Sequence, residues 1–381
     1  MTTLTTPTDV HRVGAPGRDA ERSGYQRLDF VLDPRHEAHE PPEARGLPRD
    51  GVRLLVSRGD ADPVDSRFVD LGEALAPGDL LVVNTSATVP AAVDGRLPGG
   101  EPIVVHLSGA VPGGLWLVEV RTPEAGTTSP RHLDRPFEID LLGSGRIHLL
   151  APFASSRRLW VAQLDLGDAV TGDGDGRVMG YLMAHGRPIR YRHVSRDWPL
   201  TTYQTVFARD PGSAEMPSAS RPFTPELVTD LVGRGVEIMP LLLHTGVSSL
   251  EGDEAPYPEQ YAVSRATAAA VNAVRENGGR VIAAGTTVVR ALATVTDDRG
   301  VVHPGSGWTD VVITPDAPVA SVDGLLTGWH EPESSHLMML EAFAGRDALV
   351  AAYSCALELG YLWHEFGDSH LIIRDRDAGW R

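Results

Sequence analysis

Residues 278–292 read GGRVIAAGTTVVRAL, an apolar run followed by a glycine and the start of a helix. Arg280 to Ala284 has the length and apolar character of a buried strand, and Gly285-Thr286-Thr287 marks a turn into the helix. The helix start exposes backbone N–H groups and the positive end of the helix dipole, so it favours an anion such as a carboxylate or phosphate. The alternative is that Thr286 and Thr287 only cap the helix.

Strands and helices alternate from about Tyr203 onward. Val236 to Leu243 is another apolar run of strand length, and Ser264 to Asn277 is a helix with Ser264 as its N-cap. The remaining predicted elements are a strand at Asp310 to Thr314, a helix from Ser334 or Ser335 through Phe343, and a helix at Ala348 to Leu359. We therefore predict an α/β fold whose large domain is barrel-like.

The segment 96–167 has a different pattern. Apolar residues alternate with others in short runs between Gly and Pro clusters, which is typical of antiparallel strands. These runs contain Ile103, Val105 and Leu107; Trp116, Val118 and Val120; Phe137, Ile139 and Leu141; and Leu159 and Val161. We predict a small antiparallel β-barrel at 96–167, inserted into an α/β catalytic domain formed by 25–95 and 168–381.

The composition excludes several classes of chemistry. The chain has 381 residues, enough for two domains, and all 34 of its basic residues are arginine, which excludes Schiff-base lysines and phosphate-loop lysines. Cys355 is the single cysteine, which excludes disulfide frameworks, thiolate zinc sites and iron–sulfur clusters and fits a reducing cytoplasm. Residues 1–24 lack the apolar core of a secretory signal and are predicted to be a disordered tail. No apolar run approaches the roughly 18 residues of a membrane span, so we expect a soluble protein without a membrane partner.

The formal net charge of −17 argues against broad binding to a phosphate backbone. The best candidate for a local basic groove is Gly186 to Arg196, GRPIRYRHVSR, where four arginines surround Tyr191. The alternative interpretation of this segment is a solvated arginine-rich surface loop.

Three further segments carry residues suited to a site. Ser321 to Met339 places Asp323, His330, Ser334 and Ser335 in a loop between a strand and a capped helix. Small and turn-forming residues dominate the segment 202–224, which would let a ligand approach the backbone. His244 ends an apolar strand and precedes Thr245-Gly246, the strand-end position that is typical of α/β active sites.

These segments together resemble the S-adenosylmethionine:tRNA ribosyltransferase-isomerase family of queuosine biosynthesis, from about Leu28 to Ile373. The blocks that carry the resemblance, in chain order, are PGDLLVVNTSATVPA, YQT followed by Pro211-Gly212-Ser213, HTG at His244 to Gly246, GGRVIAAGTTVVRAL, GWTDVVITP, VDGLLTGWHEPESSHLMMLEAFAG and FGDSHLII. The resemblance implies transfer of the ribosyl group of S-adenosylmethionine to 7-aminomethyl-7-deazaguanine in a tRNA anticodon loop. The products would be epoxyqueuosine, adenine and methionine, with S-adenosylmethionine as substrate and no metal. The resemblance also implies a cytoplasmic monomer.

The resemblance also implies a set of site residues. The catalytic candidates are His244, His330 and Asp323. The substrate-binding candidates are Gly212, Ser213, Gly246, Glu259, Tyr261, Gly285, Thr286, Thr287, Arg290, Ser334, Ser335 and Asp368. Our hypothesis is that His330 or His244 is the general base and that the helix start at Thr286-Thr287 receives the methionine carboxylate.

Several positions depart from the family's pattern. Asn84-Thr85-Ser86-Ala87 lacks an acid and an arginine, Pro222 replaces a histidine, and Ala293 replaces a glutamate. A loop that carries histidines in the family is shortened to Glu251 to Tyr261. Buried charge-assisted hydrogen bonds are worth about 1.5 to 3 kcal/mol each, so these losses indicate a retuned pocket. The alternatives to the family's reaction are use of S-adenosylmethionine with a small-molecule acceptor, and a non-catalytic nucleoside-binding protein.

Overall fold

The computed structural model describes residues 28–153, 156, 158–167, 174–247, 257–317, 319–332 and 334–374. The predicted disordered tail at 1–24 lies outside the described residues. Within the described ranges, no helix combines the length and the apolar character needed to cross a membrane.

The described chain forms strands β1–β18 and helices α1–α7. The strands are β1 (Arg53–Arg58), β2 (Val64–Arg67), β3 (Leu80–Asn84), β4 (Ser86–Thr88), β5 (Ala92–Arg96), β6 (Pro102–Val111), β7 (Leu115–Glu124), β8 (Thr127–Pro130), β9 (Glu138–Leu141), β10 (Arg146–Pro152), β11 (Leu159–Asp165), β12 (Asp210–Ser213), β13 (Glu237–Leu243), β14 (Glu259–Val263), β15 (Val281–Ala284), β16 (Gly305–Thr309), β17 (Gly324–Gly328) and β18 (Ser369–Ile373). The helices are α1 (Leu71–Ala74), α2 (Gly174–His185), α3 (Pro225–Gly233), α4 (Arg265–Glu276), α5 (Thr286–Thr294), α6 (His336–Ala344) and α7 (Arg346–Leu359).

A nine-stranded mixed sheet is the centre of the α/β part, in the order β16-β14-β13-β3-β15-β17-β18-β1-β2. Strand β3 pairs in parallel with both β13 and β15. Successive residues of β15 pack into different cores, because side chains of a strand alternate between the two faces. Val281 and Ala283 belong to one apolar cluster, and Ile282 and Ala284 belong to another. The sheet is therefore covered on both faces, which explains the unbroken apolar run.

The second sheet closes into a small barrel. Its order is β11-β10-β9-β5-β6-β7-β8, and the additional pairing of β11 with β7 closes six antiparallel strands. Val105, Val118 and Ile139 are buried in its interior, as their alternation predicts. The α/β class with a small antiparallel β-barrel is thus confirmed. The division of the chain into domains remains a prediction, with β5 as the strand by which the chain enters the barrel.

Most elements predicted for the second half are present. Helix α4 begins after Ser264, whose Oγ atom accepts a hydrogen bond from the backbone N–H of Thr267 at 3.0 Å. The predicted strand at Asp310 to Thr314 is wrong, because β16 ends at Thr309. Just beyond that end, the carbonyl of Val311 accepts a hydrogen bond from Arg290 Nε at 3.1 Å instead of from a neighbouring strand.

Candidate active site

A cavity of about 550 Å³ lies between the barrel and the large sheet. Its lining includes the residues that follow β13, β15 and β17 at their carboxyl ends, together with Ser108 and Leu117 of the barrel. The carboxyl edge of an α/β sheet is the usual place for a ligand site, because loops and helix starts converge there. The volume lies within the range of roughly 300 to 1,000 Å³ that is typical of small-molecule sites.

The start of α5 opens into this cavity. Gly285 is the N-cap residue, with φ at 107° and ψ at 151°, a conformation that favours glycine and turns the chain from β15 into the helix. Thr286 and Thr287 therefore occupy the first helical turn and not the N-cap position. Both threonines line the cavity with Gly285. Because the first backbone N–H groups of a helix have no partner within it, this end is suited to an anion.

Two serine hydroxyl groups outside the cavity orient the imidazole of His244. Its Nδ1 atom lies 2.7 Å from Ser86 Oγ, and Ser86 Oγ lies 2.6 Å from Ser213 Oγ. Ser213 Oγ also accepts a hydrogen bond from the backbone N–H of Thr245 at 2.9 Å. Both serines are fully buried, whereas His244 lines the cavity. The imidazole orientation is thus fixed by groups that lie outside the cavity itself.

Glu259 and Arg290 form a buried ion pair on the cavity wall. Arg290 Nη1 contacts Glu259 Oε2, and the two side chains are 9% and 12% exposed. Glu259 Oε1 accepts a hydrogen bond from the backbone N–H of Gly246 at 2.9 Å. Arg290 Nη2 donates to the carbonyl of Thr309 at 3.2 Å. The pair therefore joins α5 to β16 and to the turn after His244.

His330 also lines the cavity, in the segment that follows β17. Its Nε2 atom is 3.0 Å from Thr327 Oγ1, and its ring stacks on His336 with centroids 4.5 Å apart. Burial holds the pKa of His330 well below its usual value, and it lowers the pKa of His336 to about 4. Both imidazoles are therefore neutral near pH 7. Ser334 and Ser335 line the cavity as well, and Ser334 Oγ accepts a hydrogen bond from the backbone N–H of His336 at 3.3 Å.

Four predicted site residues do not line the cavity, and one of them is Ser213, the buried serine described above. The other three form hydrogen bonds or pack elsewhere. Asp323 lies at the opposite edge of the sheet, where its Oδ2 atom accepts a hydrogen bond from the backbone N–H of Val281 at 2.8 Å. The side-chain oxygens of Asp368 accept hydrogen bonds from the backbone N–H groups of Arg53 and Leu362, both at 2.8 Å. Tyr261 packs into the apolar core, because β14 directs alternate side chains to opposite faces. These three residues fix backbone or core, and none of them lines the cavity.

The structure adds a group of rings and carboxylates that our sequence interpretation missed. His193 forms an ion pair with Glu365 and stacks on His364, with ring centroids 3.8 Å apart. Burial acts to lower the pKa of His193, but the hydrogen bond and charge of Glu365 outweigh it and raise the pKa. Burial lowers the pKa of His364 to about 4. The arginine-rich segment indicated this region, but no local pattern connects His193 with a carboxylate 172 positions away.

Among the residues that the structure describes, no three His, Cys, Asp or Glu side chains are grouped so that they could hold a metal ion.

A cavity at the carboxyl edge of an α/β sheet, lined by a helix start and an oriented histidine, is typical of an enzyme active site. The sequence model of the queuosine biosynthesis protein family matches residues 25–372, and the chain belongs to this family. The resemblance seen in the sequence is therefore confirmed, and with it membership in an enzyme family of transferases and isomerases.

Several relatives are named S-adenosylmethionine:tRNA ribosyltransferase-isomerase. The relative from Moorella thermoacetica is 35% identical, over 91% of this chain and 99% of its own length. The relative from Symbiobacterium thermophilum is 37% identical, over 91% of this chain and 98% of its own length. A crystal structure of S-adenosylmethionine tRNA ribosyltransferase from Thermotoga maritima is 27% identical and has a TM-score of 0.49, covering 91% of this chain and 99% of that one.

Proposed function

We propose that this chain transfers the ribosyl group of S-adenosylmethionine to 7-aminomethyl-7-deazaguanine in a tRNA anticodon loop and isomerises it. The products would be epoxyqueuosine, adenine and methionine. The observation that carries this proposal is that the start of α5 and the oriented His244 line one cavity. A ligand bound there by its carboxylate would have its sugar within the same enclosed space as a base.

The start of α5 is the proposed carboxylate site. The backbone N–H groups of its first turn favour a negative charge, and Thr286 and Thr287 add hydroxyl donors at the same place. The buried pair of Glu259 and Arg290 supports this part of the cavity. Arg290 lies three residues after Thr287, on the same face of α5. In this proposal, these two residues shape the site and do not themselves bind the carboxylate.

His244 is the proposed general base. A sulfonium acidifies the neighbouring 5′-carbon of the ribose, so a base can remove its proton to form an ylide, after which adenine is expelled. Because Ser86 engages Nδ1, we infer that Nε2 of His244 receives the proton. His330 is the second candidate, although its Nε2 atom is engaged by Thr327 and its ring is stacked on His336. The reaction as proposed uses S-adenosylmethionine as a substrate and needs no metal.

A small-molecule acceptor is the second candidate function. The observation that favours it is the acidic net charge of −17, which disfavours extended contact with a nucleic acid. The replaced residues near Ser86, which lies beside His244, point in the same direction. In either case we propose a cytoplasmic enzyme that acts as a monomer.

The test is incubation with S-adenosylmethionine, with and without precursor tRNA, while free adenine and methionine are measured. Release that requires the tRNA supports the proposed function. Release without RNA favours the small-molecule acceptor, and binding of S-adenosylmethionine without release identifies a non-catalytic protein. His244→Gln and His330→Gln are then compared for adenine release. If neither variant is slower than the wild type, neither histidine is the base.

A further inference from the structure

One wall of the cavity is formed by the arginine-rich segment and remains without a role in the reaction described above. Tyr191, Arg192 and His193 line the cavity there, together with His364 and Glu365. The wall belongs to the same continuous cavity as the start of α5 and His244. A second substrate bound in this cavity would therefore have these residues on one of its sides.

Three rings of this wall form a nearly parallel series. The rings of Tyr191 and His193 have centroids 6.1 Å apart and planes inclined by 10°. His193 and His364 have centroids 3.8 Å apart and planes inclined by 11°. Tyr191 is half-buried, so part of its ring is accessible from the cavity. Flat aromatic side chains are a common means of holding an unstacked base, because every base offers a flat face.

Arg192 differs from the other arginines of the segment. Those are engaged by protein groups: Arg187 by Asp94 at 2.8 Å, Arg190 by Asp197 at 3.1 Å, and Arg196 over the ring of Trp198 at 4.1 Å. Arg192 is exposed, and among the described residues the structure gives it no ion pair. A guanidinium matches the geometry of a phosphate and can bind it through two hydrogen bonds.

His193 and Glu365 form an ion pair and balance each other's charge, so the attraction of this wall for a phosphate rests on Arg192. The Glu365 carboxylate keeps the pKa of His193 above its usual value despite burial, so His193 retains positive charge to higher pH than a free histidine. His364 is neutral near pH 7, because burial lowers its pKa to about 4. The segment thus combines flat rings with a guanidinium beside them, within a chain whose overall charge is negative.

We propose that Tyr191, His193 and His364 form a stacking platform for the base of an acceptor nucleotide, and that Arg192 binds a phosphate of that nucleotide. This inference rests on the proposed function, because it places the acceptor substrate in the cavity that is proposed to bind S-adenosylmethionine. The chemistry recognised is a planar base joined to a phosphate, which either a free nucleotide or a nucleotide within RNA can supply.

The test measures binding of a fluorescently labelled anticodon stem-loop by anisotropy at several salt concentrations. Tyr191→Leu is expected to weaken binding about tenfold or more, because it removes a flat face while keeping an apolar side chain. Tyr191→Phe keeps the flat ring and is expected to bind the stem-loop with an affinity close to that of the wild type. Arg192→Gln is expected to lower the slope of log affinity against log salt by about 0.7, the value for one phosphate contact on a single strand.

Arg196→Gln is the matched control, because it removes the same charge from the same segment at a side chain that packs on Trp198. Equal effects of Arg192→Gln and Arg196→Gln would show a general charge effect and overturn the platform. Calorimetric binding of S-adenosylmethionine reports whether each variant is folded.

A second arm uses guanosine monophosphate as the free nucleotide. If the wild type binds the stem-loop and all variants match it, the platform is overturned while the proposed function stands. If the wild type binds only the free nucleotide and Tyr191→Leu weakens that binding, the platform stands and the RNA acceptor fails. If the wild type binds neither probe, the platform is overturned whatever the rate of adenine release.

Discussion

Ser86 Oγ lies 2.7 Å from His244 Nδ1, although the two residues are 158 positions apart in the chain. The contact forms because β4, which contains Ser86, pairs in parallel with β12, and β12 ends at Ser213 beside the turn after β13. The direct hydrogen-bond partner of the proposed base therefore lies in the segment 84–87, where the sequence lacks an acid and an arginine of the family's pattern.

Ser86→Ala is expected to lower kcat for adenine release about tenfold, a change of about 1.4 kcal/mol in the activation free energy. The hydroxyl orients the imidazole of His244 but does not line the cavity in which S-adenosylmethionine would bind. Affinity for S-adenosylmethionine should therefore change little. Steady-state adenine release gives kcat, and calorimetry gives the affinity.

Ser57→Ala is the control for Ser86→Ala. Ser57 Oγ lies 2.8 Å from Nε2 of His370, another buried histidine that is not part of the cavity lining. This variant should lower the free energy of unfolding and leave kcat unchanged. A similar loss of kcat in both serine variants would mean that the Ser86 effect is only a loss of stability.

Arg290→Met is expected to lower the free energy of unfolding by about 3 to 5 kcal/mol, because it leaves the buried carboxylate of Glu259 without its partner. The double variant with Glu259→Leu should recover a large part of this loss. Urea unfolding of the wild type, both single variants and the double variant measures the coupling. Purely additive losses would contradict a strong interaction between the two side chains.

Arg234→Met is the matched control for this pair. Asp230 in α3 and Arg234, the C-cap residue of α3, form an i,i+4 ion pair. Their side chains are 49% and 48% exposed. Exposed pairs contribute roughly 0 to 1 kcal/mol, so this substitution should have a small effect.

The sequence was sufficient to predict what depends on local pattern. The apolar run at Val281–Ala284, the glycine after it and the helix start follow one another in the chain, so their arrangement could be predicted without tertiary information. The same holds for the strands of the barrel, whose alternation is set by their burial on one face.

The side-chain contacts of the site could not be predicted in this way. Asp323 follows a loop pattern typical of a site, yet it precedes β17 and so lies at the amino edge of that strand, away from the cavity. His193 and Glu365 meet only because distant parts of the chain pack together. A motif gives the order of residues along the chain, but the sheet order determines which edge each residue occupies.

The free energy of unfolding is expected to fall as the pH is lowered from about 6.5 to 5. Burial lowers the pKa of His336 to about 4 and that of His370 to about 3, whereas an unfolded histidine titrates near 6.5. In this window the unfolded chain binds more protons than the folded chain, so acid favours unfolding. Each of these histidines is expected to cost on the order of 1 to 2 kcal/mol by pH 5.

Urea midpoints between pH 5 and 8.5 test this expectation, and His336→Asn should reduce the loss on the acid side. The range stops at pH 5 because carboxylates with lowered pKa values, such as Glu365, lose their contribution at lower pH. The pH dependence that His193 contributes to the free energy of unfolding is opposite. Its raised pKa gives stability that is present below about pH 6.5 and is lost as the pH rises through the folded pKa. A midpoint that stays constant from pH 7 to 5 would contradict the assignment of neutral buried histidines.

Gly212→Ala is expected to reduce adenine release by roughly 100-fold, because small displacements of a catalytic group can have effects of that size. A Cβ atom at position 212 would lie 2.5 Å from both Cε1 and Nδ1 of His244, closer than carbon and nitrogen atoms can approach. The ring could not keep its present position, and its orientation by Ser86 would be disturbed. Gly233→Ala is the control, since a Cβ atom at that position meets nothing within 4 Å. Circular dichroism and thermal unfolding should show both variants folded, which assigns the loss to the displaced ring. Wild-type adenine release by folded Gly212→Ala would remove His244 from consideration as the base.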